Sequence, residues 1–267
     1  AGTPLGSLFG RPWSAHIEKG PRGIHPIQLI TGWSSVRSIG LFCGQLDLFS
    51  FGRENGFMKI LIVGANGQIG RHLVDQLTGS EHTVRAMIRN PVQAPAFEAK
   101  GAEVVVADLE SDFRSALEGC DSLIFTAGSG GHTGPEKTII VDLYGAWKMI
   151  DAAKDQSVKR FVMVSSMGTE EPEKGRENMR HYFIAKRIAD DRLVESGLDY
   201  TIVRPGRLTN DDGMGRIWVG EGDHLRQIPR MDVAATIVAL LGQENTIGKT
   251  FPLLSGEHSI GEALKSI

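Results

Sequence analysis

The chain has 267 residues, 41 % of them hydrophobic, and a formal charge of -3, which fits one large domain or an ordinary globular domain with an appendage. That balance excludes a broad attraction to nucleic acid or a membrane surface, and the apolar runs are strand-sized, far short of a membrane span. Cys43 and Cys120 belong to no CxxC or Cys/His cluster, so neither a disulfide framework nor a metal site is expected.

Residues 1–57 differ from the rest: they are rich in Gly, Ser and Pro, contain no Met, and sustain neither apolar period. Gln28 to Thr31 and Leu46 to Phe51 are candidates for short ordered pieces. Met58 stands directly before the first strand, so the domain is expected to begin there, with 1–57 a disordered extension, an upstream read-through or a targeting segment. Arg11, Arg22 and Arg37 among the serines suit a transit peptide, whereas Glu18, Asp47 and Glu54 count against one. A secretory signal pattern is absent, and a cytoplasmic protein is expected.

From Met58 the pattern alternates. Lys59 to Val63 is an Ile/Leu/Val run suited to a strand buried on both faces, and it runs into Gly64, Gly67 and Gly70. These open a helix from Gln68 to Leu77 whose apolar positions Ile69, Leu73 and Leu77 recur every four residues. In that context the first glycine permits a tight turn, the second a close backbone approach to pyrophosphate, and the third close packing of helix on strand. Gly64, Asn66, Gly67, Gln68 and Ile69 are therefore the expected contacts on the phosphate side of a dinucleotide, at the positive end of the helix. The GxxGxxG spacing resembles the short-chain dehydrogenase/reductase superfamily, particularly its extended and atypical branches.

Further strands are predicted at Thr83 to Ile88, Glu103 to Val106, Ser122 to Thr126, Arg160 to Ser165, Tyr200 to Val203 and Thr250 to Leu254. Helices are predicted at Lys137 to Lys154, Asn178 to Ser196 and Asp232 to Leu241, with Gly197 and Gly242 placed to stop the last two. The fold class that follows is α/β: a Rossmann-type doubly wound parallel sheet with a small C-terminal substrate-binding portion.

The second strand ends in Arg89 with no carboxylate nearby, which favours the 2′-phosphate of NADP, helped by Arg71; NAD stays possible if both arginines are solvated surface charges. The resemblance implies that Asp108 and Leu109 lie against the adenine, and that Ala127 and Gly128, after Thr126, lie beside the cofactor ribose. His132, in the glycine-rich loop that follows, reads as solvated.

In RHYFIAK, Tyr182 and Lys186 share a helix face at i and i+4. A tyrosine is a poor acid or base near neutrality, and a neighbouring ammonium would stabilise its phenolate and lower its pKa toward working range. Ser165 or Ser166, ending the fifth strand, offers a hydroxyl for a carbonyl oxygen. Together they resemble the Ser-Tyr-Lys triad of the superfamily, and the resemblance implies that Lys186 also contacts the cofactor; the alternative is a packed aromatic beside a solvated lysine. Pro205 and Gly206 resemble the Pro-Gly turn that family members set against the nicotinamide carboxamide. The polar stretch from Leu208 to Arg230 is a candidate substrate lid, where Arg207, Asp211, Asp212 and His224 could meet a polar substrate or simply be solvated.

The resemblance spans Met58 to Ile267 and is most similar to the atypical group of NAD(P)-binding, NmrA-like and NAD-dependent epimerase-like proteins. It implies an NADP-dependent oxidoreductase of a small carbonyl or alcohol, with a non-catalytic NAD(P) sensor or a sugar epimerase as alternatives. A small-molecule substrate is expected, no nucleic acid or membrane partner, and a monomer or a homodimer paired through the helices at 137–154 and 178–196.

Overall fold

The computed structural model describes residues 57–220 and 227–267. The expectations for residues 1–56, Cys43 and the two candidate ordered pieces among them, and for His224, lie outside the described residues.

The chain alternates as its pattern predicts. β1 (Lys59–Val63) leads to α1 (Gln68–Thr78), β2 (Thr83–Ile88) to α2 (Ala94–Glu98), and β3 (Glu103–Val106) to β4 (Ser122–Phe125). Then come α3 (Pro135–Lys137), a π-helical segment (Thr138–Gly145) and α4 (Ala146–Asp155), which together occupy the place of one predicted helix. β5 (Arg160–Val164), α5 (Arg180–Val194) and β6 (Asp199–Pro205) complete the nucleotide-type half.

Strand order is β11 (His258–Ser259), β8 (Arg216–Val219), β10 (Lys249–Ser255), then β6-β5-β4-β1-β2-β3, parallel from β3 through β10. The order reverses at β1, which pairs with β2 on one side and β4 on the other, so the crevice above the carboxyl ends of β1 and β4 is where a ligand belongs. Strand period assigns the two layers. Ile60 and Ile62 face the core shared with α1 and α6, and Leu61 and Val63 face the core shared with α4 and α5. Ile124 against Leu123 and Phe125 in β4, and Val162 against Phe161 and Met163 in β5, repeat the division. Each aliphatic side chain fully buried this way contributes about 1.5–3 kcal/mol, which fixes register because a one-residue slip would exchange every layer assignment.

The stretch expected as a lid is partly strand. β7 (Arg207–Thr209) pairs with β9 (Gln227–Pro229) in a two-stranded sheet, and β8 (Arg216–Val219) runs antiparallel on β10 (Lys249–Ser255), with α6 (Arg230–Leu240) between β9 and β10. β11 (His258–Ser259) and α7 (Ile260–Lys265), the latter started by a capping box between Ser259 and Glu262, finish the chain. β7, β8, β9 and β11 are two to four residues long, too short for a period to show in a polar, glycine-punctuated sequence.

A buried arginine stitches the C-terminal part to the centre. Arg160 donates to the carbonyl of Asp199 (3.0 Å) and to the hydroxyls of Thr201 (2.6 Å) and Thr246 (2.9 Å), while Thr201 donates to the carbonyl of Thr246. Desolvation lowers its guanidinium to about 10, opposed by Asp199, so it remains charged at neutral pH.

Candidate functional site

The turn after β1 is set by backbone contact. Gly64 has φ +86°, and a Cβ there would lie 2.7 Å from the backbone of Ala127, so the loops after β1 and β4 touch where the strand order reverses. At Gly70 a Cβ would overlap the carbonyl oxygen of Gly64, which only a glycine avoids. The amide of Gly67 closes the turn onto that same carbonyl at 2.9 Å. No side chain caps α1 and no acid stands in its first turn, so its leading N–H groups remain available to an anion.

Beside this turn opens a cavity of about 660 Å³. Its walls include Gly64, Asn66 and Gly67 from the turn, Arg89 after β2, Asp108 and Leu109 after β3, and Ala127 and Gly128 after β4. These are eight of the expected cofactor contacts, brought together from four strand ends. Gln68, Ile69, Lys186, Pro205 and Gly206 are not on its walls: Ile69 is buried in the core and Gln68 is exposed on α1. The size and the open helix start suit the adenosine and pyrophosphate portions of a nicotinamide nucleotide.

Of the two arginines expected at the 2′ position, Arg89 lines the cavity with an exposed side chain. Arg71 instead donates to the side chain of Asn66 at 2.8 Å. His132, also on the wall, covers Gly130, where a Cβ would come 2.9 Å from its ring.

The reacting candidates lie together at the ends of β5 and α5, apart from the cavity walls. Lys186 is 1 % exposed and donates to the carbonyl of Val164 at 2.8 Å, with its ammonium 5.9 Å from the centre of the Phe125 ring. Burial lowers its pKa, while the carboxylates of Asp142 and Asp190 oppose the fall. The Tyr182 ring is half-buried, and burial of its hydroxyl pushes the phenol well above its usual value; Asp142 and Asp190 add to the rise, and Ser166 works against it. The lowering expected from a neighbouring ammonium is therefore not found: desolvation dominates, and the phenol is protonated at neutral pH.

The two serines part company. Ser166 acts to lower the Tyr182 phenol against these effects, and its hydroxyl donates to the carbonyl of Met167 at 3.0 Å. Ser165 donates to Asp190 at 2.8 Å, and Arg204 donates to the same carboxylate oxygen at 3.1 Å while pairing with Glu170 at 2.7 Å. Pro205 and Gly206 join neighbouring strand ends, the carbonyl of Pro205 accepting from Met167 and the amide of Gly206 donating to Leu253.

Two acids escaped sequence reasoning. Asp142 is 2 % exposed on the π-helical segment and accepts from the amide of Ser129 at 3.0 Å, linking the cavity wall to the Tyr182–Lys186 pair whose charge it senses. Asp190 sits one turn beyond Lys186. The signal available for each was a single acid on an otherwise apolar face, in TIIVDLYG and in the Ala185–Ala189–Leu193 stripe.

Comparison with known proteins agrees with this geometry. Residues 64–244 match the model of a family described as NAD(P)H-binding. A Bacillus subtilis protein named "Uncharacterized sugar epimerase YhfK" is 45 % identical over 214 residues, covering 79 % of this chain and all of the relative. Sanguinarine reductase of Eschscholzia californica is 31 % identical over 255 residues, covering 78 % of this chain and 93 % of the relative. The crystal structure of the oxidoreductase ylbE from Lactococcus lactis superposes with a TM-score of 0.72 at 34 % identity, covering 79 % of this chain and 96 % of that one.

Proposed function

Because the chain belongs to the NAD(P)H-binding family, in its atypical short-chain dehydrogenase/reductase-like branch, we propose that it is an NADP-dependent oxidoreductase transferring hydride to or from a small carbonyl or alcohol. The observation that supports this most directly is Lys186, buried and bonded to the carbonyl of Val164 at the end of β5, one turn along α5 from Tyr182, whose phenol is near enough to Ser166 to be influenced by it. A bound nicotinamide supplies or accepts the hydride. Ser166 holds the substrate oxygen, and Tyr182 gives its proton to that oxygen in reduction or takes it back in oxidation. Burial suits the donating role, because it keeps the phenol protonated. Lys186 acts as its neighbouring cation, held by Val164, and Ser165 serves to anchor Asp190. Gly64, Asn66, Gly67, Gln68, Ile69, Asp108, Leu109, Ala127, Gly128, Pro205 and Gly206 remain the proposed cofactor contacts, with Arg89 the reason for preferring NADP.

We place the start of the catalytic unit at Met58, read 208–230 as the substrate-covering region, and assign the protein to the cytoplasm as a monomer or homodimer. Among the described residues no helix is long and apolar enough to cross a membrane.

The test is a screen of carbonyl compounds followed by the absorbance of NADPH, with Tyr182→Phe as control. The variant is expected to lose at least about 100-fold in turnover, the scale of a positioned acid, and to bind nucleotide as the parent does. Unchanged turnover would remove the phenol from the chemistry. The printed name of the B. subtilis relative favours a second reading, a sugar epimerase that oxidises and re-reduces one carbon. Net consumption of NADPH separates the two.

A further inference from the structure

Two loops that bound the nucleotide cavity are joined to each other by an ion pair. Glu110 follows β3 and Lys137 ends α3 after β4, so β2 and β1 lie between their parent strands in the sheet. Both residues line the cavity, and the ammonium of Lys137 bonds both carboxylate oxygens of Glu110, at 2.8 and 2.7 Å.

Each arm of this bridge is anchored beneath it. On the Glu110 side, Asp108 accepts from the amide of Glu110 at 3.0 Å, Lys148 holds the carbonyl of Leu109 at 2.5 Å, and Leu109 is buried beneath Gly145. On the Lys137 side, α3 runs directly into the π-helical segment, whose Thr138 and Asp142 are buried, and the glycine-rich stretch before it is tied back by the Ser129 amide to Asp142 and by Thr133 to the carbonyls of Ser129 and Gly130. Both arms are thus anchored, and the movable part at the edge of the cavity is the pair of long side chains between them. The tie is itself weak, because the side chains are 41 % and 30 % exposed and solvent screens their attraction. Since each charge is neutralised by the other, the pair offers no net charge to a nucleotide's phosphates.

We propose that Glu110 and Lys137 form a clasp that governs how fast the nucleotide enters and leaves this cavity, without setting how tightly it is held. It rests on the nucleotide reading of the cavity. Opening the clasp lets the two side chains swing off the edge of the cavity, and closing it restores the wall, so both rates change together while their ratio does not.

The test is stopped-flow fluorescence of NADPH with the full chain and with Glu110→Gln, Lys137→Met and the double variant. The double variant, which keeps the wall neutral, is expected to speed entry and release by about threefold, in line with a screened surface pair, with Kd unchanged. Each single variant also removes the tie but leaves one charge unpaired on the wall, so its Kd should shift as well, tighter for Glu110→Gln and weaker for Lys137→Met. Added salt should accelerate release from the parent protein more than from the double variant, where only the nucleotide's own contacts remain to be screened. A shift in the double variant's Kd with entry unchanged would assign the side chains to direct nucleotide contact and overturn the clasp, as would unchanged rates. The parent protein reports on the cavity separately: no fluorescence change on adding NADPH would remove the nucleotide reading and the clasp with it.

Discussion

Tyr182 and Lys186 face a conflict that only their surroundings resolve. Burial drives the ammonium toward neutrality and the phenol toward permanent protonation, and the carboxylates of Asp142 and Asp190 sit close enough to affect both. Those acids work against the loss of charge on the lysine and at the same time against the phenolate, an arrangement that favours giving a proton over taking one. Arg89 poses the simpler question of which nucleotide is used. A charge-assisted contact with a 2′-phosphate contributes about 1.5–3 kcal/mol. Arg89→Ala is therefore expected to weaken NADPH binding by about tenfold to a hundredfold and leave NADH binding unchanged, as read by fluorescence titration. Equal loss for both nucleotides would place Arg89 elsewhere in recognition. Arg71, committed to Asn66, is expected to act through the shape of the glycine turn.

At the scale of elements, the glycine turn is one object with two supports. Its φ of +86° and its contact with Ala127 leave no room for a side chain at Gly64. Gly64→Ala combines a left-handed backbone penalty of about 1–2 kcal/mol with overpacking of about 1–3 kcal/mol. The melting temperature should fall by roughly 5–15 °C on the scale of a domain this size, with nucleotide binding lost. A stable, binding-competent variant would mean that the two loops can separate freely. This element was legible because strand period, glycine spacing and helix period change over within a dozen residues. The π-helical turn in the helix predicted from Lys137 was not, since an extra residue per turn alters no composition and only shifts which side chains face inward. That shift is why Asp142 passed unnoticed. The split between Ser165 and Ser166 was equally invisible, because alternation tells which two residues face apart but not which face holds the phenol.

For the whole molecule, the parallel sheet covered on both faces followed from the alternation of strands and helices, whereas the short C-terminal strands depend on partners far away in sequence. One feature of the exterior concerns assembly. Ile139, Ile140, Tyr144 and Trp147 are exposed along the π-helical segment and α4, and Ile184 and Ile188 along the adjoining α5. An apolar stripe of this extent suits a second copy of the chain. Sedimentation is expected to show a dimer that Ile184→Glu together with Ile188→Glu converts to a monomer with an intact circular dichroism spectrum. A monomeric parent protein would leave the stripe without that role.

The guanidinium of Arg160 lies inside the protein between strands β5 and β6 and the turn carrying Thr246, and remains cationic there. Prising the last third of the polypeptide away would strand a full charge in an oily interior, which costs far more than the few hydrogen bonds severed. The parts before and after β6 are consequently not interchangeable modules: a graft that replaced everything beyond β6 would have to bring its own hydroxyl to the position of Thr246. Diversification in a scaffold stitched this way is channelled into the crests of the loops, leaving the seam beneath them untouched.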